Sequence, residues 1–146
     1  MRNCESVRFT LLTAPRGGGK SSTVMRLYPG ARGYVTVKSD EKGSVLYLRD
    51  LETGLDRELM HRSPGGPYIV NKAVFREANL RLCSIMDGLV VLDECGWFET
   101  AGRGFRPALD HFSQTEGIQA VLSVRLDCLD WYLDYLGRSR CRITRL

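Results

Sequence analysis

One segment of the sequence predicts the fold: Thr13-Ala14-Pro15-Arg16-Gly17-Gly18-Gly19-Lys20-Ser21-Ser22. It follows an apolar segment at 7–13 that favours a β-strand, and it precedes residues 20–28, whose apolar spacing favours a helix. The glycines let the backbone curl so that successive N–H groups point at one anion, and the start of the helix directs its free N–H groups at the same point. We therefore predict a phosphate-binding loop over Ala14–Ser22 that holds a nucleotide.

Two side chains of this loop are expected to carry its chemistry. Lys20 would bridge the outer phosphates, and the Ser21 hydroxyl would ligate Mg²⁺. The loop departs from the G-x-x-x-x-G-K-[ST] pattern at its first position, where Ala14 replaces glycine and disfavours a positive φ. Taken alone, the glycine run is also compatible with a flexible linker.

A second motif, Asp87-Gly88-Leu89-Val90-Val91-Leu92-Asp93-Glu94, argues against the linker. An apolar run without alternation is typical of a strand buried on both faces, and this run ends in two carboxylates. In open parallel sheets, ligands bind beyond the carboxyl ends of the strands. The sequence therefore predicts that Asp93 and Glu94 lie beside the phosphate loop, although a core strand that ends in a solvated acidic turn also fits the pattern.

The acidic pair and one arginine complete the predicted catalytic set. Asp93 is expected to hold Mg²⁺ through its waters, and Glu94 to orient or deprotonate a water that attacks the γ-phosphate. An acid directly after the metal-binding Asp is typical of P-loop hydrolases of the additional-strand class. Arg125 is either a catalytic residue that neutralises transition-state charge or a surface arginine in a turn. The predicted catalytic residues are thus Lys20, Glu94 and Arg125, and the predicted metal ligands are Ser21 and Asp93.

Further residues around the acidic pair have less specific roles. Ser123 ends the strand after the acidic one, near the expected γ-phosphate. Glu99 could cap a helix, pair with Arg103 or contact a ligand. Trp97 and Phe98 could stack on a base, but packing against the sheet is the favoured interpretation.

Composition restricts the class of protein. The 146 residues are 43% hydrophobic and 26% charged, which predicts one globular domain over 1–146. No apolar stretch is long enough for a membrane span, and residues 1–5 lack the apolar segment of a signal peptide, so we expect a cytoplasmic protein without a membrane partner. Five cysteines without C-x-x-C spacing indicate reduced thiols rather than a zinc site.

Charge points to a polyanionic ligand. The net charge of +4 suits a nucleoside triphosphate and would equally suit weak contact with nucleic acid. The basic residues at 138–145 alternate along the chain, which favours an edge strand guarded by charge over a nucleic-acid contact. The sequence leaves the oligomeric state open.

The order of elements predicts an α/β fold. Predicted strands cover 7–13, 33–38, 44–49, 57–62, 68–70, 89–93, 118–124 and 140–146, and predicted helices cover 20–28, 71–86, a segment from near Pro107, and a segment capped by Asp127. Helices that alternate with apolar strands indicate a mostly parallel central sheet flanked by helices, with a β-hairpin extension at 33–70. The glycines at 96, 102 and 104 predict a mobile loop after the acidic strand.

Several motifs follow one another along nearly the whole chain. They are the loop from Ala14 to Ser21, the pair Gly33-Tyr34, the turn Asp50-Leu51-Glu52-Thr53-Gly54, the stretch Gly66-Pro67-Tyr68-Ile69-Val70, and the acidic signature of Asp93, Glu94, Gly96 and Glu99. In this order they resemble the small nucleoside-triphosphatase family typified by the thermophile THEP-type enzymes. The resemblance implies a P-loop NTPase fold and Mg²⁺-dependent hydrolysis of nucleoside triphosphates with loose base selectivity. Ala14, the strand after Tyr34 and the compact length depart from that family, which bears on efficiency and substrate range more than on fold.

Three functions are compatible with these residues. The leading hypothesis is hydrolysis of ATP, GTP or another NTP to NDP and phosphate. A small kinase that passes the γ-phosphate to a nucleoside or metabolite is the alternative, with residues 33–70 as an acceptor lid. The third is a nucleotide-switched interaction module, since Asp93-Glu94-Cys95-Gly96 fits D-x-x-G, although the guanine-reading Asn-Lys-x-Asp is missing from the sequence.

Overall fold

The computed structural model of the chain describes residues 6–13, 20–39 and 44–146. Its centre is a sheet in the order β5-β4-β3-β2-β6-β7-β1-β8. The strands are β1 Phe9–Thr13, β2 Arg32–Lys38, β3 Val45–Asp50, β4 Asp56–His61, β5 Ile69–Val70, β6 Gly88–Cys95, β7 Ile118–Val124 and β8 Cys141–Arg145. β2, β6, β7, β1 and β8 run parallel, whereas β3, β4 and β5 extend the sheet in antiparallel pairs. This confirms the predicted α/β fold with a mostly parallel sheet and a β-hairpin extension.

Helices cover both faces of the sheet. In the described residues they are α1 Lys20–Leu27, α2 Lys72–Leu82, α3 Trp97–Thr100, α4 Arg106–Gln114 and α5 Leu129–Leu136. α1 packs through Val24 against Leu12, Val91 and Val121, so it lies on one face. The apolar stripes of α2, α4 and α5 form the larger core on the other face, because alternate strand residues point to opposite sides. The helix that follows the phosphate loop is therefore separated from α2 and α4 by the sheet.

Two helix boundaries differ from the prediction. The helix expected to reach Met86 ends at Leu82, because the N–H groups of Ser84 and Ile85 bond to carbonyls three residues back and tighten the chain into a turn. The last helix begins at Leu129 instead of after an Asp127 cap, since residues 126–128 form a 3₁₀ turn.

Two other predicted segments are the one that follows β6 and the edge strand β8. The segment after β6, expected to be a loop, contains the helical turn α3. β8 forms an edge of the sheet, as predicted, and exposes Arg142 and Arg145 along it. No helix in the described part of the chain is both long and apolar enough to cross a bilayer.

Candidate active site at the carboxyl edge of the sheet

The parallel strands bring the two predicted motifs to one edge of the sheet. β1 ends at Thr13, β6 ends at Cys95, and only β7 lies between these strands, so their ends are about 10 Å apart. α1 begins at Lys20 at this same edge and packs back over β1, β6 and β7 through Val24. The strand and the helix expected on either side of a phosphate-binding loop are thus present in the described backbone.

Parts of the predicted site lie outside the described residues. These are the loop residues Ala14, Pro15, Arg16, Gly17, Gly18 and Gly19, together with the side chains of Lys20, Ser21 and Glu94. Their assigned roles remain predictions. Ser22 is described and is exposed in the first turn of α1, and Glu94 is a residue of β6.

Asp93 is fixed at the end of β6 by a neighbouring strand. Its side chain is 1% exposed. Thr36 of β2 donates to one carboxylate oxygen, Oδ2, from its backbone N–H at 3.3 Å and from its hydroxyl at 3.2 Å. These two hydrogen bonds hold the carboxylate against β2. Asp93 therefore lies at the carboxyl edge of the sheet with its side chain held by β2, and its role as a metal ligand stays a prediction.

Ser123 has an unsatisfied hydroxyl on β7, the strand that pairs with β6. It lies on β7, opposite Leu12 of β1 and next to the end of β6. The hydroxyl is fully buried, and no described residue forms a hydrogen bond with it. A buried polar group without a partner costs about 1–3 kcal/mol, which a bound ligand could recover. Carboxylate oxygens such as those of Asp93 are of the ligand type that suits Mg²⁺ or its bound waters.

Arg125 lies next to the acidic strand end but is paired on its own loop. Its Nε is 3.3 Å from Oδ1 of Asp127, and its side chain is half exposed. A Cβ on Gly96 would lie 2.9 Å from Cδ of Arg125, so the arginine stem covers that glycine. The Arg125 N–H donates to the carbonyl of Cys95, the residue after Glu94, at 3.1 Å, while the Arg125 guanidinium faces Asp127 rather than any described active-site residue.

Glu99 anchors the segment that follows the acidic pair. It is 2% exposed, and its two carboxylate oxygens accept the backbone N–H groups of Gly96 and Phe105, both at 2.9 Å. The Tyr132 hydroxyl donates to the Gly96 carbonyl at 2.9 Å and lies 3.4 Å from Glu99. Of the three roles left open by the sequence, the structure supports the capping one. Glu99 is therefore a residue that positions Gly96 and, through the chain, the end of β6.

The Glu99 site also imposes a glycine on its surroundings. Gly104 has a φ of +59°, and a Cβ there would lie 2.0 Å from Oε2 of Glu99. Burial raises the pKa of Glu99, although the N–H groups of Gly96 and Phe105 act in the opposite direction. Burial likewise raises the pKa of Tyr132, so its hydroxyl remains a donor at neutral pH.

Replacing Glu99 with glutamine is expected to destabilise the fold by about 1–3 kcal/mol, because the amide NH₂ cannot accept one of the two N–H groups. A raised pKa means that the folded state favours the protonated carboxyl, which still offers two oxygen acceptors. The protonated Glu99 carboxyl therefore contributes fully to the stability of the folded state below the usual pKa of 4.5. This stabilisation is lost as the pH rises through the folded-state pKa. We would measure urea unfolding at several pH values. The difference in free energy of unfolding between wild type and Glu99→Gln should be largest at low pH and should decrease as the pH rises.

The control for this prediction is Glu116→Gln, at an exposed position in the turn before β7. It should change neither the stability nor its pH dependence. A gap for Glu99→Gln that widens as the pH rises would show that the two backbone donors outweigh burial.

The aromatic pair after the acidic strand is divided between two environments. Phe98 packs edge to face against Phe75 of α2 with 6.3 Å between ring centroids, while Trp97 leaves half of its surface exposed. Phe98 therefore packs against a helix, whereas the sequence favoured packing against the sheet. Cys95, whose position beside the acidic pair invites a role, is buried in the core.

Two residues of the site were not predicted from the sequence. Thr36 looked like one position of an ordinary strand, and Tyr132 like an inward residue of the last helix. Their hydroxyls reach Asp93 and Gly96 across 57 and 36 residues of chain, respectively. Only the presence of a polar group at a position predicted to be buried gives a signal in the sequence.

Comparison with known proteins identifies the fold. The solution structure of a human cancer-related nucleoside triphosphatase matches 96% of this chain and 89% of its own, with 20% identity and a TM-score of 0.68. The crystal structure of THEP1 from the hyperthermophile Aquifex aeolicus matches 94% of this chain and 89% of its own, with 17% identity and a TM-score of 0.65. This chain has the THEP1-type fold.

The THEP1-type fold agrees with the family resemblance seen in the motifs. No protein-family model and no curated protein sequence matches the chain. At this level of identity the two structures establish the architecture and not the activity. The function has to be argued from the carboxyl edge itself.

Proposed function

We propose that this chain is a Mg²⁺-dependent nucleoside triphosphatase that hydrolyses NTP to NDP and phosphate with loose base selectivity. The observation that carries the proposal is the meeting of β6, with the oriented Asp93, and the start of α1 at one edge of the sheet. One of the two proteins of similar structure is a nucleoside triphosphatase and the other is THEP1. Their similarity in fold agrees with this reaction class.

The loop amides and Lys20 would hold the β- and γ-phosphates, and Ser21 and Asp93 would hold Mg²⁺. When bound, the ion would neutralise phosphate charge. Glu94 would accept a proton from the attacking water as the new P–O bond forms and the γ-phosphorus separates from the bridging oxygen of NDP. Arg125 would stabilise charge on the phosphoryl group if its guanidinium left Asp127 for the nucleotide.

The test is phosphate release from ATP, GTP, CTP and UTP, with and without Mg²⁺. We expect release from all four with the metal and little without it. Lys20→Ala should lower release about 100-fold or more, since a positioned charge at the transferring phosphoryl group is removed. Release that requires an added nucleoside or metabolite would replace the hydrolase with the kinase, and tight GTP binding without turnover would replace it with the switch.

A further inference from the structure

A cavity lies on the face of the sheet opposite α1. It is open to solvent and is lined by α2, the start of α4 and the segment that contains α3, with a volume of about 650 Å³. That volume falls within the range of about 300–1,000 Å³ that is common for small-molecule sites. Because α1 packs on the other face, this α2–α4 cavity is separate from the predicted phosphate site.

The walls of the cavity are largely apolar and aromatic. Phe75 is nearly buried and meets Phe98 edge to face, and Phe98 remains 37% exposed. Leu80 lies at the same cavity with 70% of its surface exposed. Exposed aromatic and aliphatic surface around a concave site favours a ligand with an apolar body.

Three cations line the same cavity: Lys72, Arg76 and Arg103. No carboxylate among the described residues lines it or lies within ion-pair distance of these three side chains. Two other arginines of this region each form an ion pair with a carboxylate. Arg57 contacts Glu77, and Arg81 contacts Asp50. The cavity therefore combines an apolar interior with positive charge that the described part of the chain does not neutralise.

We propose that the α2–α4 cavity binds a small amphipathic anion, with an aromatic or branched apolar body and one carboxylate, sulfonate or phosphate. The apolar body would lie against Phe75 and Phe98, and the anionic group would face the exposed cations. Neutral apolar molecules would lose the charge interaction, and simple anions would lose the apolar contact. This site does not depend on the proposed hydrolase activity.

The probe for the test is anilinonaphthalene sulfonate, an aromatic anion whose fluorescence rises in apolar sites. Its affinity for the native chain is compared with that of neutral N-phenylnaphthylamine, and with its own affinity in Leu80→Glu and Leu80→Lys. Because Leu80 is mostly exposed, both variants should fold normally and differ only in the charge added at the cavity. Equal urea midpoints for the two variants verify this.

We expect the sulfonate to bind more tightly than the neutral analogue. Leu80→Glu should weaken it about fivefold relative to Leu80→Lys, which is the size of one exposed charge interaction. The difference should shrink at about 0.5 M salt, where such charges are screened. Adding Mg²⁺ with a non-hydrolysable ATP analogue should not displace the probe, because the two sites lie on opposite faces.

Three results would overturn the proposal. One is equal affinity of the sulfonate for Leu80→Glu and Leu80→Lys. Another is equal affinity of the native chain for the charged and the neutral probe. The third is displacement of the probe by the ATP analogue, which would place it at the nucleotide site. If the native chain binds the probe as expected but does not hydrolyse NTP, the proposed function is wrong and the proposal for the α2–α4 cavity still holds.

Discussion

Glu94→Gln is expected to reduce phosphate release about 100- to 10,000-fold, the range typical of removing a general base. Glutamine keeps the size of the side chain but cannot accept the proton of the attacking water. The strand that carries it should be unaffected, because β6 is paired on both sides by β2 and β7. Binding of Mg²⁺ with ATP should therefore remain close to wild type while turnover is lost.

The measurement is single-turnover phosphate release together with equilibrium binding of a fluorescent ATP analogue. Glu116→Gln makes the same chemical change at an exposed turn near the opposite edge of the sheet, and it should leave both quantities unchanged. Full phosphate release by Glu94→Gln, with intact nucleotide binding, would show that another group activates the water. Joint loss of binding and release would assign Glu94 to holding the nucleotide instead.

The architecture was predictable because its signals are local. Runs such as Leu89–Leu92 are apolar at every position, which suits strands covered on both faces, and the stripe of Val74, Ala78 and Leu82 follows helical spacing. Alternation of such segments is enough to predict a mostly parallel sheet. Because ligands bind at the carboxyl edge of such sheets, the sequence alone then predicts that Asp93 lies at that edge.

The orientation of the site residues was not predictable, because it depends on contacts between distant segments. Thr36 becomes a partner of Asp93 only when β2 pairs in parallel with β6. Glu99 becomes a cap only when Phe105 returns to meet it. The predicted end of α2 was wrong for a related reason. The turn after Leu82 is formed by backbone hydrogen bonds, which the residue types at these positions do not predict.

Gly33→Ala is expected to be the most destabilising single change at this sheet, with a loss of about 2–6 kcal/mol from backbone strain and overpacking together. Gly33 lies in β2 opposite Val91, with a φ of +126°. A Cβ there would lie 1.9 Å from the carbonyl oxygen of Val91, so the two strands would have to separate. The free energy of unfolding of a native protein is typically about 5–15 kcal/mol, so such a loss would remove a large part of the stability of the folded state.

The matched control is Gly65→Ala, since Gly65 also has a positive φ, +74°, but a Cβ there would meet nothing within 4 Å. Thermal unfolding should show a fall of only a few degrees for Gly65→Ala and a much larger one for Gly33→Ala. Because the pairing of β2 with β6 also brings Thr36 to Asp93, a surviving Gly33→Ala fraction should bind Mg²⁺ with ATP more weakly. Equal losses in the two variants would mean that φ alone, and not the close approach of these strands, requires glycine at position 33.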